Sequence, residues 1–236
     1  MNTSNVNILE RTAKNIYSIT PFTLLDFPGY PSCIFWFSGC NMRCLYCYNP
    51  DIVLGKGSLT YNDALEFLKT RIGLLNGVVM SGGECSLHPH FTAFVSEVKE
   101  LGFLVKIDTN GSRPKVLNTL LSQGLIDYVA LDFKAMPDKE VAITGGVFFE
   151  DFTASLELLL SYRMAFEVRT TVHKSLLSSD DILTMSSYLN QKNYQGVYYL
   201  QNFKDGVPTL GDIKYNRTTI DLQALKNSKI PISVRN

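Results

Sequence analysis

The chain has 236 residues, 45% of them hydrophobic and 19% charged, which is enough apolar material for a buried core and too little charge bias for disorder. Its 22 basic residues balance 22 acidic ones, so no surplus of positive charge marks a dedicated nucleic-acid binder or a polybasic membrane protein. The opening segment from Met1 to Asn15 is polar, without the apolar stretch of a secretion signal. The strongest apolar run, Cys33 to Phe37, falls far short of the ~20 residues a membrane span takes, and a soluble cytoplasmic protein is expected.

In chain order, Ser32–Phe37 (SCIFWF) reads as a strand that runs into Gly39-Cys40-Asn41-Met42-Arg43-Cys44-Leu45-Tyr46-Cys47, a C-x3-C-x2-C loop. Thr60-Tyr61-Asn62-Asp63 opens a helix as an approximate capping box. Val78–Ser81 is the next strand. Phe91, Phe94, Val95, Val98 and Leu101 then fall on one helical face, opposite Glu97 and Lys99. Phe103–Asp108, Tyr128–Phe133, Phe166–Val172 and Val197–Phe203 are the later strands, separated by helical patterns over about Pro114–Ser122, Phe152–Ser161 and Asp180–Asn190. Continuous apolar strands alternating with helices imply an α/β fold with a mostly parallel sheet. Six such units are fewer than the eight of a closed barrel, so a partial barrel or an open sheet both fit, with the chemistry at the C-terminal strand ends. No repeat or linker divides the chain, and a single domain over 1–236 is expected, with its core at about 17–203 and a C-terminal extension over 204–236.

The distinctive polar residues fall at those strand ends: the cysteine loop, Ser81-Gly82-Gly83-Glu84, Asp108-Thr109-Asn110-Gly111, Asp132-Phe133-Lys134, Arg169-Thr170-Thr171 and Gln201-Asn202. Five cysteines, three of them within eight positions, do not make a disulfide framework and suit a metal or cluster site in a reducing compartment. Three thiolates can hold three irons of a [4Fe–4S] cube and leave the fourth open, whereas a structural zinc wants four protein ligands. A zinc knot completed by Cys33, Cys85 or a histidine, and plain reduced thiols, are the alternatives; Cys33 lies inside a strand and reads as a small core residue. Asp132 and Lys134 flank Phe133 and share a strand face, which also suits a simple ion pair. A turn or a helix N-cap is the rival role for Asp108. Arg169 meets a carboxylate or a partner's loop, or pairs with Glu167 on the same face. His88, His90 and His173 read as surface or turn residues, and Trp36 and the helix phenylalanines as core.

The C-x3-C-x2-C loop with Tyr46 before its third cysteine, followed by Gly82-Gly83-Glu84, resembles the signatures of the radical S-adenosylmethionine enzymes. Asp108-Thr109-Asn110-Gly111, Asp132-x-Lys134 and Leu25-Asp26-Phe27-Pro28-Gly29 resemble the glycyl-radical-enzyme activases among them. The anaerobic ribonucleoside-triphosphate reductase activating proteins are nearest, and pyruvate formate-lyase activating enzyme is similar. The resemblance covers roughly Tyr17 to Phe203.

It implies a partial (β/α)6 barrel in which Cys40, Cys44 and Cys47 hold a [4Fe–4S] cluster, with S-adenosylmethionine chelating the open iron. It gives Gly82, Gly83, Glu84, Asp108, Asp132 and Lys134 to the cofactor. The oxygens of Asp108, Thr109, Ala130 and Asp132 fall to a monovalent cation. The reaction implied is reductive cleavage of the sulfonium to a 5′-deoxyadenosyl radical that takes hydrogen from a glycine of a partner, a glycyl radical enzyme such as anaerobic ribonucleoside-triphosphate reductase. A flavodoxin or ferredoxin-type electron donor is implied with it. Where pyruvate formate-lyase activating enzyme has a histidine near the adenine, this chain has Leu200-Gln201-Asn202-Phe203, which leaves the adenine contacts open. With only Cys33 and Cys85 left over, no auxiliary cluster domain is expected. A small-molecule enzyme such as 7-carboxy-7-deazaguanine synthase and a non-catalytic zinc or iron–sulfur module remain the alternatives.

Overall fold

The computed structural model describes residues 13–211, 213 and 223–235, which include two compact units. The first comprises the described residues up to Asn41 together with Asp51–Thr109 and Lys115–Val129; the second comprises Met42–Pro50, Asn110–Pro114 and the described residues from Ala130 onward.

In the first unit β1 (Lys14–Thr23) pairs antiparallel with β2 (Ser32–Phe37). After α1 (Pro50–Leu54), the short β3 (Leu59–Thr60) adds to the outer edge of β1, antiparallel to it. β4 (Gly77–Gly82) and β5 (Leu104–Thr109) then extend the sheet in parallel, with Cys33 opposite Val78 and Val78 opposite Val105. The order is β3-β1-β2-β4-β5. β2 and the first four residues of β4 are buried almost without alternation, as strands covered on both faces must be.

Helices α2 (Tyr61–Lys69) and α3 (Phe91–Glu100) supply one cover, α4 (Pro114–Ser122) following later. Thr60 caps α2 in a reciprocal capping box with Asp63, so the sequence signature forms as expected. Between sheet and helices, Tyr61 stacks on Phe94 at 4.3 Å, and Phe37 meets Phe91 edge to face at 5.4 Å. Trp36 is only partly buried, packed beside the Phe27, Ile34 and Val79 cluster, its indole N–H donating to Thr20 Oγ1 at 2.9 Å.

The second unit takes over within β6 (Tyr128–Asp132) and continues through α5 (Pro137–Thr144), α6 (Phe149–Ser161), β7 (Phe166–Val172), α7 (Ser179–Gln191), β8 (Tyr198–Asn202) and β9 (Ile232–Arg235). β7, β8 and β9 are parallel neighbours, with Val168 opposite Tyr198 and Tyr198 opposite Ile232. Phe133 stacks on Phe152 at 4.4 Å, and Phe149 lies 5.0 Å from Tyr188. The expected strands and helices all form, within about three residues of their expected ends. The sequence reading omitted β1, β3, β9, α1 and α5. Among the described residues, no helix is long and apolar enough to cross a membrane.

β9 also rules out the Glu167 alternative for Arg169, which meets another carboxylate, Asp132, instead. Glu167 is buried, 3% exposed, and its carboxylate receives both guanidinium nitrogens of Arg235 at 2.9 and 2.8 Å. Arg235 in turn lies 3.4 Å over the Tyr199 ring. This forked, charge-assisted pair ties the C-terminal strand to β7, two strands away. Arg235→Ala is expected to lower stability by about 2–4 kcal/mol, because it withdraws a buried carboxylate's principal donor. Urea denaturation measures the loss, and Arg235→Lys, which keeps charge but not the fork, should fall between the two.

Candidate active site

The cysteine loop begins where β2 ends, and its first residues are held from several directions. Ser38 N–H donates to Asn15 O at 3.0 Å and Gly39 N–H to Ile52 O at 2.8 Å, while His88 Nε2 lies 2.7 Å from Ser38 O. Gly39 has φ +79°, the left-handed conformation that turns the chain out of the strand. The Gly82-Gly83-Glu84 turn after β4 packs on this point: Gly83 N–H donates to Phe37 O at 2.8 Å and Glu84 N–H to Gly39 O at 2.9 Å. A Cβ on Gly83 would lie 1.8 Å from Gly39 O, and one on Gly82, at φ +119°, 2.4 Å from Phe37 N. The two glycines are there because two backbones touch.

Glu84 is fully buried, and its Oε1 accepts from Ser86 N–H, Ser86 Oγ and Thr109 Oγ1 at 3.2, 2.5 and 2.9 Å. It therefore caps the short turn Cys85–Leu87 and ties it to the end of β5. Asp108, at the end of β5, accepts from Ser81 Oγ at 3.0 Å and pairs with the Lys106 ammonium. It lies within β5 and not in a turn. Asn110 Oδ1 accepts from Ser112 N–H at 2.9 Å, an Asx turn that starts the Gly111 bend.

Cys44 and Cys47, the later two cysteines of the loop, lie in the second unit. Cys47 N–H donates to Cys44 O at 3.0 Å, closing the C-x2-C turn. All five cysteines are free thiols. Cys33 and Cys85 are buried, and burial pushes the Cys33 thiol up to about 12, which makes both inert core residues. Cys44 is also raised, because burial pushes it up by more than the Lys134 ammonium lowers it.

That ammonium belongs to a charged triad. Asp132 accepts from Arg169 Nε at 2.5 Å and from Lys134 Nζ at 3.0 Å, and Phe133 N–H donates to Arg169 O at 2.9 Å. Burial alone would raise the Asp132 carboxyl, yet the Arg169 guanidinium and Lys134 ammonium hold it down at about 2. Burial is the largest influence on Lys134 and lowers it, but Asp132, Tyr46 and Cys44 together raise it further, so it stays protonated. Its Nζ sits 6.0 Å from the centroid of the Tyr46 ring, whose buried hydroxyl has no hydrogen-bond partner.

At the sixth parallel strand Gln201 and Asn202 line a cavity of about 260 Å³ with Tyr48, Thr171, Lys204 and Arg235. His173 corrects another expectation. It is buried, with Nδ1 bound to the Ser175 hydroxyl at 2.7 Å and Nε2 unpartnered. His88 is half-buried and its proton affinity is lowered by burial; His90, at φ 59°, does sit in a turn. Tyr48 and Arg235 escaped the sequence reading because neither lies in a motif; His173 does start a turn, its carbonyl accepting from Leu176 and Leu177 N–H at 2.9 Å, but it is buried there.

The Radical SAM superfamily pattern matches residues 34–176. The chain belongs to the radical SAM superfamily. A protein of Methanocaldococcus jannaschii provisionally named a glycyl-radical enzyme activating enzyme is 30% identical over 200 residues, 80% of each chain. Pyruvate formate-lyase-activating enzyme of Clostridium pasteurianum is 31% identical over 220 residues, 87% of each chain. Among solved structures, Streptococcus suis SuiB bound to S-adenosylmethionine aligns with a TM-score of 0.64 at 14% identity, covering 86% of this chain and 52% of its own. At that identity the likeness shows the fold, an α/β core of the partial-barrel kind with mostly parallel strands, and this chain spans about half of that structure's length.

Radical SAM membership brings S-adenosylmethionine-dependent radical chemistry and implies an iron–sulfur cluster with S-adenosylmethionine as cofactors. The donor chemistry fits: three reduced thiols in one loop, one of them beside a permanent cation that favours its thiolate. Among the described residues, no three His, Cys, Asp or Glu side chains are gathered as they would be around a bound metal ion.

Two outcomes are expected. Gly83→Ala should cost ~3 kcal/mol or more, since its methyl must displace backbone rather than a flexible side chain; calorimetry or denaturant melts check it. Asp132→Asn should lower stability at neutral pH by roughly 2 kcal/mol, since the wild-type carboxyl is depressed on folding. That difference is full above the ordinary value of 3.8 and fades as pH falls toward about 2, which stability measured against pH will show.

Proposed function

We propose that this chain is a glycyl-radical-enzyme activase acting on a partner of the anaerobic ribonucleoside-triphosphate reductase kind. The observation that carries the activase reading is the similarity, over most of both lengths, to one protein named for activating glycyl-radical enzymes and one named for activating pyruvate formate-lyase; the reductase as partner rests on the resemblance of the sequence motifs. The leftover cysteines agree, for Cys33 and Cys85 are both buried in the first unit's core and supply nothing for an auxiliary cluster. In this reading the two compact units are parts of one catalytic domain, supported by the family match running through both.

Cys40, Cys44 and Cys47 would hold a [4Fe–4S] cluster, which when bound and reduced would supply the one electron needed for cleavage of the sulfonium of S-adenosylmethionine and hence the radical that takes the glycine hydrogen. Lys134 favours the Cys44 thiolate and offers an ammonium to a cofactor carboxylate, while Asp132 and Arg169 hold that ammonium in position. The missing Cβ positions of Gly82 and Gly83 are taken up by the Phe37–Gly39 backbone, so these glycines serve the cofactor by fixing the course of the turn against the start of the cysteine loop. Glu84 keeps that turn in shape through Ser86 and Thr109, and its part in cofactor binding is that of a positioning residue. A monovalent cation on Asp108, Thr109, Ala130 and Asp132 is not part of this proposal: Lys106 already balances Asp108, and Lys134 and Arg169 balance Asp132.

Anaerobically purified protein should contain about four irons and four sulfides per chain. Incubated with reductant and S-adenosylmethionine, it should generate a glycyl radical signal in electron paramagnetic resonance on an anaerobic reductase. Stoichiometric zinc, or cofactor cleavage that depends on a free pterin instead of on the reductase, would refute the proposal. Cys44→Ala should abolish cofactor cleavage, because two thiolates do not hold the cube.

A further inference from the structure

The chain after β8 does more than trail away from the barrel. Phe203 N–H donates to Val172 O at 3.1 Å, and the Phe203 ring is held between two others: His173 meets it edge to face at 4.8 Å, and Tyr48 stacks on it at 5.3 Å. Tyr48 directly follows the third cysteine of the loop. Lys204 N–H donates to the Tyr48 hydroxyl at 2.5 Å, Leu210 N–H to Cys47 O at 2.9 Å, and Gly211 N–H to Leu45 O at 2.9 Å.

Gly211 packs so closely that a Cβ there would lie 2.6 to 2.9 Å from the side chain and Cα of Leu45. The amide hydrogens of the same arm are taken elsewhere: Arg43 N–H goes to Thr144 O at 2.6 Å and Leu45 N–H to Ile143 O at 3.0 Å, at the end of α5. The arm has no regular secondary structure of its own, and short irregular segments stay ordered only where other parts of the chain take up their backbone groups.

We propose that residues 203–211 form a strap that holds the Cys44–Tyr48 arm in its folded course with or without iron, with Tyr48, Phe203 and Gly211 as positioning residues. The hydrogen bonds and ring contacts named above run from the strap to this arm and to the end of β7, so they order two of the three thiols before any cluster arrives. Its use rests on the reading of Cys44 and Cys47 as cluster ligands; its existence as a brake on the opening of the arm does not.

The test uses the full chain, reduced and metal-free under anaerobic conditions. Iodoacetamide alkylation is followed for each cysteine by mass spectrometry in the wild type, in Gly211→Ala, which collides with Leu45, and in Tyr48→Phe, which removes only the acceptor for Lys204 N–H. Both variants should alkylate Cys44 and Cys47 several-fold faster, roughly fivefold or more, because opening of the arm becomes easier. Cys40, held by separate contacts, and the buried Cys33 and Cys85 should keep their wild-type rates. Unchanged rates at Cys44 and Cys47 in both variants, or equal acceleration at all five cysteines, would overturn the strap.

A second measurement separates the two readings. Reconstituted with iron and sulfide, the variants should load more slowly than the wild type, and their cluster potential should shift. Wild-type loading together with an unaltered arm in the variants removes the strap and leaves the activase reading intact. Faster alkylation in a protein that never takes up iron removes the activase reading and leaves the strap.

Discussion

The contact on which the site depends is between two backbones, where Gly83 lies against the Gly39 carbonyl. Everything upstream exists to bring those segments side by side: β2 and β4 are parallel neighbours, in register from Ser32 opposite Gly77 to Phe37 opposite Gly82, so their ends arrive together. Two hydrogen bonds, Gly83 N–H to Phe37 O and Glu84 N–H to Gly39 O, then continue the pairing past the last strand residues. Only glycine can stand where a methyl group would overlap a carbonyl oxygen. The start of the cysteine loop and the Gly82-Gly83-Glu84 turn, far apart in the chain, are thus two halves of one backbone junction.

Charge is organised around a second centre. Asp132 lies between Arg169 and Lys134, and the three carry one net positive charge in a partly buried setting. Such an arrangement is costly to desolvate and is retained for what it orients as much as for stability. Here it fixes an ammonium close to Tyr46 and Cys44, the place where a thiolate needs support. Asp132 answers both cations at once, one oxygen to each, so Lys134 keeps its proton without being drawn out of position.

Much of this was legible in the chain because it is written in local pattern. The apolar run of Ser32–Phe37, the period of Phe91, Phe94, Val95 and Val98, and the Thr60–Asp63 capping box each encode their element within a few residues, and each formed as expected. The cysteine loop and the two glycines are contiguous motifs of the same kind. β1 and β9 escaped because their sequences are mixed in polarity and their pairing partners are distant. His173 escaped because a histidine after a strand looks the same in sequence whether it ends in solvent or beneath Phe203.

By itself the sequence determined the α/β class, the positions of most strands and helices, and the residue types at the strand ends, since all follow from periodicity, propensity and short motifs. The tertiary structure decided which of those residues meet. Arg169 had Glu167 on its own strand face and turned instead to Asp132, while Glu167 took Arg235 from 68 positions away. The same holds for the Cys44–Tyr48 arm, whose Cys47 and Leu45 carbonyls accept from Leu210 and Gly211 N–H and whose Tyr48 hydroxyl accepts from Lys204 N–H, 156 residues further on. Local pattern carries no information about such partners, because ion pairing and backbone closure depend on distance in space, which only the packed chain sets.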